Sequence, residues 1–246
     1  MTPEIPPQES YPFWSYLDAG AFVVIALMGV LVESVLAGLF VDLKHVQKIF
    51  VLFPAQLLLY LFLLGTIALI FRRYYGRPFW RSLCWTRPAL GTSAVVTSGI
   101  AVACGVMLAS VFLRTPDTDT PLKALLSDPT SVVLIAVLGV TVGPVSEEVV
   151  FRGFLQPLLV RSFGAAPGIL LAAAPFGLLH LPEYGYSWRH ALLITAAGAA
   201  FGWMRQRTGS TKAAAIMHAA YNGVFFLLLA LEEGALHWRW VGYGRQ

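Results

Sequence analysis

Seven apolar runs, most of them close to the length a helix needs to cross a hydrocarbon core, leave this chain one broad way to fold. They cover about 19–41, 49–71, 90–113, a run starting near 131, 166–181, 190–204 and 213–231. A spanning helix takes about 20 residues, and inside lipid only helices and closed barrels satisfy their own backbone groups. Of the 246 residues, 57% are hydrophobic and 12% charged, far from the balance of a soluble domain. The spacing predicts an all-α, polytopic transmembrane helical bundle of about seven to eight helices, the eighth being a half-helix between 153 and 165.

Residues 1–12 hold Glu4 and Glu9 but no Lys or Arg, so they lack the basic start of a signal peptide and the first run stays as a helix. Phe13, Trp14 and Tyr16 precede it as an interfacial aromatic cluster. The densest basic stretch follows the second run, with Arg72, Arg73, Arg77, Arg81 and Arg87. Placing it in the cytoplasm puts Arg152, Arg161, Arg205, Arg207 and Lys212 there too, and the acidic 117–128 turn outside. The expected protein is a multi-pass one of the cell membrane with a cytoplasmic amino terminus. Its net charge of +4 resides in short loops between apolar runs, which points to membrane lipids as partners and not to nucleic acid. Cys84 and Cys104 imply no disulfide framework. Asp128-Pro129-Thr130-Ser131 starts the fourth helix, with Thr130 or Ser131 expected to cap it.

That fourth run ends in Ser146-Glu147-Glu148-Val149-Val150-Phe151-Arg152. Each charge in hydrocarbon costs at least about 2.5 kcal/mol, so such a set calls for a function. Glu148 and Arg152, four apart, share a helix face and can pair. Glu147, about a hundred degrees round, is left free to act as a general base toward water. The competing reading is a juxtamembrane ion pair whose side chains snorkel to the headgroups.

The fifth run reads Phe176-Gly177-Leu178-Leu179-His180 and the seventh His218-Ala219-Ala220-Tyr221-Asn222. In each, the outer pair lies four apart on one face. Either histidine could simply hold the bundle together by interhelical hydrogen bonds. Together, three helices present a carboxylate, two imidazoles, an amide and an arginine, the groups that hydrolysis needs. Two arrangements stay open. Glu147, His180 and His218 could bind a metal such as zinc, or a glutamate and a histidine could hold water directly, with His218 and Asn222 donating to an oxyanion.

In order, these stretches resemble the EExxxR, FxxxH and HxxxN motifs of the CPBP family, also called the ABI family, which comprises CAAX prenyl endopeptidases and bacteriocin-processing or immunity proteins. The resemblance covers about 131–231 and divides the chain into N-terminal helices, 1–114, and a catalytic helical core, 115–246. It implies an intramembrane endopeptidase acting on a membrane-associated peptide or protein, prenylated CAAX substrates among them. Glu147 would be the general base, His180 would help hold the water or metal, and His218 with Asn222 would stabilise the oxyanion. Glu148 and Arg152 would be the supporting pair. Family members are described as metalloproteases, and a metal-free glutamate mechanism has also been argued for them, so zinc is an expectation.

Two other functions compete with proteolysis. One is a non-proteolytic immunity or regulatory protein on the same scaffold. The other is an ion-coupled transporter, suggested by Glu33 in the first run, a residue that also reads as an interhelical hydrogen-bond partner or a near-surface charge. Depth poses a difficulty for any shared site. At 1.5 Å per residue, His180 lies roughly 20 Å along its helix, whereas His218 lies only about 10 Å beyond Lys212.

Overall fold

The structure, a computed structural model, describes residues 11–41, 47–116, 121–126 and 128–243, with side chains in the last helix as far as Leu231. Helices α1 (Tyr16–Val41) and α2 (Ile49–Ile70) pack together, and α2 passes into a π-helical turn, Phe71–Tyr75. A short α3 (Phe79–Ser82) leads to α4 (Thr92–Leu113) and α5 (Pro121–Leu125). Then come α6 (Pro129–Val140), α7 (Val142–Glu148), a second π segment (Val149–Leu155) and α8 (Gln156–Phe163). Helix α9 (Ala165–Leu179), a 3-10 turn (Pro182–Tyr184), α10 (Trp188–Thr208) and α11 (Thr211–Tyr243) complete the chain. No strand occurs among the described residues.

Each of the seven apolar runs is helical, but the fourth is a chain of pieces. Asp128, not Thr130 or Ser131, caps it: its side chain accepts from the Ser131 amide at 2.8 Å, and Pro129 occupies the first turn, where no amide is needed. Thr141, at φ −126° and ψ −90°, breaks α6 from α7. The π segment follows directly on Glu148, and the expected half-helix is α8. Both cysteines are free thiols.

Among the described residues, five helical stretches are long and apolar enough to cross a membrane: 16–40, 49–75, 92–113, 129–163 and 211–231. The fifth and sixth apolar runs form helices outside this group, so the helix count is near the expected seven to eight without matching it. Helix α9 has 15 residues, about 22 Å of rise against a hydrocarbon core of about 30 Å. Helix α10 carries Arg189, His190, Arg205, Gln206 and Arg207. The two pack closely on each other, and a Cβ at Gly177 would lie 2.6 Å from the Ala191 carbonyl. Close approach through small residues is how helices associate where lipid is as apolar as the side chains. Large apolar side chains stay exposed along α1, α2 and α4, including Leu17, Leu61, Val111 and Phe112, as lipid contact requires. The chain is an integral membrane protein.

Trp14 is not an interfacial anchor. It is fully buried, stacks on Phe154 at 5.6 Å, and its indole N–H donates to the Phe154 carbonyl at 3.0 Å. A buried indole needs such a partner, and a carbonyl of the π segment supplies it. Phe22, Phe71, Leu83, Phe151 and Phe176 join the same core. Glu33 is half-buried and makes no hydrogen bond or ion pair among the described residues, so it is no interhelical partner there.

Candidate active site

Glu148 closes α7 and Arg152 sits one turn on, inside the π segment. Arg152 Nη1 donates to Glu148 Oε1 at 2.9 Å, and Nη2 donates to the Gly198 carbonyl of α10 at 2.7 Å. Neither residue has any exposed surface. Charges so deeply buried are tolerable only when paired and hydrogen-bonded, so snorkelling to headgroups is excluded for this pair. The guanidinium also lies 4.5 Å over the Phe176 ring. Gly198 makes this approach possible, since a Cβ there would stand 2.8 Å from Arg152 Nη2 and 2.9 Å from Phe176.

His218 enters from α11. Its Nδ1 lies 3.0 Å from Glu148 Oε1, and its ring stacks on Phe201 at 4.6 Å. A carboxylate only accepts, so Nδ1 carries the hydrogen and Nε2 faces outward. There, Nε2 stands 3.9 Å from Glu147 Oε2. That gap is too long for a direct hydrogen bond, and one oxygen atom can bridge it. The other oxygen of Glu147 accepts from the Tyr60 hydroxyl of α2 at 2.6 Å. The Glu147 side chain keeps 22% of its surface, against none for Glu148. The accessible carboxylate is the one available for chemistry, and the sealed one holds the imidazole.

His180 caps α9, with Nδ1 2.7 Å from the Phe176 carbonyl. The Phe176 ring lies between the histidines, its centroid 4.8 Å from His180 and 5.8 Å from His218. The depth difficulty disappears because both histidines reach the one aromatic ring. Asn222, a turn beyond His218, donates through Nδ2 to the Gly139 carbonyl of α6 at 2.7 Å. Thus Glu147, Glu148, Arg152 and His218 meet directly, His180 joins through Phe176, and Asn222 ties α11 to α6.

The expected metal triad of Glu147, His180 and His218 is not assembled. Among the described residues, no three His, Cys, Asp or Glu side chains are grouped to hold a metal ion. Glu147 and His218 bring donor atoms within 3.9 Å of each other, and a zinc site takes three protein donors.

Two contributors carry no signal in the sequence. Tyr60 is 87 positions from Glu147, and Gly198 is 46 from Arg152, so only the tertiary fold shows their roles. Phe176 was visible as a partner of His180 on one face but not as the hub under Arg152. Glu183 is different. It lies three residues past His180, and that spacing could have marked it. Desolvation pushes its carboxyl above the usual carboxylate range, with Glu147 adding to this and His180 opposing it.

Residues 129–224 match the family described as type II CAAX prenyl endopeptidase Rce1-like. Over that stretch the chain is similar to an Rce1-like domain. The matched stretch takes in α6 through the first part of α11, and with them Glu147, Glu148, Arg152, His180, His218 and Asn222. Tyr60 lies outside it. No curated protein and no solved structure matches the chain.

Proposed function

We propose that the protein is an intramembrane endopeptidase that hydrolyses a peptide bond of a membrane-associated substrate, with CAAX-type prenylated peptides as the first class to test. The observation that carries this reading is the pair Glu147 Oε2 and His218 Nε2, 3.9 Å apart and braced from behind by the sealed Glu148–Arg152 pair, within the Rce1-like stretch.

The chemistry follows from those atoms. A water between Glu147 and His218 adds to the scissile carbonyl carbon while Glu147 Oε2 takes its proton. His218 Nε2 accepts a hydrogen bond from the attacking water, and the tetrahedral oxyanion receives one from the second N–H of Asn222. As the C–N bond breaks, Glu147 returns the proton to the leaving nitrogen, and a carboxylic acid and an amine result. Each of these steps is carried by the side chains of the chain itself. The basic residues of the 72–87 loop and of the ends of α8 and α10 support a reading with these segments on the cytoplasmic side.

The test is cleavage of prenylated and unmodified peptides by purified wild type and Glu147→Gln, with thermal unfolding as a folding control. Loss of a general base should cut turnover by roughly 100-fold or more. Equal cleavage by a folded Glu147→Gln protein refutes the reading.

A further inference from the structure

A cavity of about 330 Å³ opens between α8, the end of α10 and the segment before α1. Three arginines line it, Arg152, Arg161 and Arg205, together with Tyr11, Gln156 and Gln206. No Asp or Glu lines it among the described residues. Arg152 spends its charge on Glu148. Among the described residues the other two have only neutral partners. Arg161 Nη1 donates to the Pro12 carbonyl at 2.7 Å. Arg205 donates through Nε to Thr211 Oγ1 and through Nη2 to the Tyr11 hydroxyl, both at 3.0 Å.

Arg205 decides the matter. It is only 8% exposed, so its charge is largely removed from solvent without a carboxylate to balance it. Burying a cation beside neutral oxygens alone is costly, and an anion in the adjoining cavity removes the cost. Guanidinium forks match the paired oxygens of a phosphate. Pro157 and Val160 complete the wall with apolar surface, which suits the glycerol part of a headgroup. This end of the bundle also gathers the 72–87 loop, through Ser210 Oγ to the Thr86 carbonyl and the Thr211 amide to the Cys84 carbonyl. It is the basic end, the one that faces an anionic leaflet.

We infer that this cavity binds a phosphate group, carried by an anionic phospholipid headgroup or as the free ion. The site is separate from the Glu147–His218 pair and does not depend on the proposed peptidase activity.

The test uses the full chain in an uncharged detergent and reads its thermal unfolding midpoint. Sodium phosphate is compared with sodium chloride at equal ionic strength, and short-chain phosphatidylglycerol with short-chain phosphatidylcholine. The midpoint should rise saturably with the phosphate-bearing anions and not with the controls. Arg161→Gln and Gln206→Glu, both at exposed positions, should weaken the apparent affinity by roughly tenfold. A response to phosphate alone marks a free-ion site, a response to phosphatidylglycerol alone marks a headgroup site, and a response to both marks recognition of the phosphate itself. The inference is overturned if neither anion exceeds its control, or if both variants respond as wild type does.

Discussion

The Tyr60 hydroxyl donates to Glu147 Oε1 at 2.6 Å, joining a helix outside the Rce1-like stretch to the accessible carboxylate inside it. With one oxygen held, the other is turned toward His218. Tyr60→Phe removes that restraint and keeps the ring. A hydrogen bond to a charged group is worth about 1.5–3 kcal/mol, so peptide turnover should fall about tenfold or more. Unfolding temperature should move little, and an unchanged turnover number would show that Glu147 needs no such restraint.

The buried ion pair leads to a prediction about stability. Arg152→Met leaves Glu148 sealed without its cation, which should cost about 3–5 kcal/mol. Adding Glu148→Gln removes the stranded charge, so the double variant should be more stable than Arg152→Met alone. Thermal melts of wild type, Arg152→Met and the double variant check this, and a double variant no more stable than Arg152→Met would contradict it.

Gly198 is the floor under Arg152. In Gly198→Ala the new methyl would stand 2.8 Å from Nη2 in a site with no room to give. Overpacking of this kind costs about 1–3 kcal/mol. A melt and a peptide-cleavage assay should both register it, whereas Gly223→Ala, with nothing within 4 Å, should serve as a silent control in the melt.

Glu183 supplies a pH dependence. Its carboxyl is raised in the folded chain by desolvation and by Glu147. A raised acid favours folding while protonated, so its contribution is complete below the unfolded value and is lost as pH rises through the folded one. Relative to wild type, Glu183→Gln should therefore gain stability as pH increases from about 4 upward. A difference in melting temperature that stays constant across that range would refute the shift.

The donor arrangement around Glu147 predicts that a zinc chelator leaves peptide cleavage intact. Activity lost to chelation and restored by zinc would show that the site rearranges to recruit a third ligand.

Much of this architecture could be read from residue order. The apolar runs fall where the helices are, because length and hydropathy alone settle helix formation in lipid. The i, i+4 spacing of Glu148 and Arg152 foretold their 2.9 Å pair. The division between an accessible Glu147 and a supporting Glu148 also follows from angular position on a helix. What spacing could not show depends on contacts between distant segments. Nothing near Tyr60 marks it as a partner of Glu147, and nothing in Gly198 shows that a guanidinium rests there. Trp14 looked like a surface aromatic because its partner carbonyl, Phe154, is 140 positions away. Helices α9 and α10 looked like full spans because their apolar residues serve contact with each other as well as with lipid.

The π segment at Val149–Leu155 has one more implication. Each π turn takes in an extra residue relative to an α turn, since its hydrogen bonds run from i to i+5. Deleting one residue there would restore an α path and rotate everything downstream by about 100° against Glu148. Gln156 would leave the arginine-lined cavity and Phe154 would leave Trp14, while the motif residues before the deletion kept their order. Homologous chains should therefore differ in length before or after this stretch, but not within it.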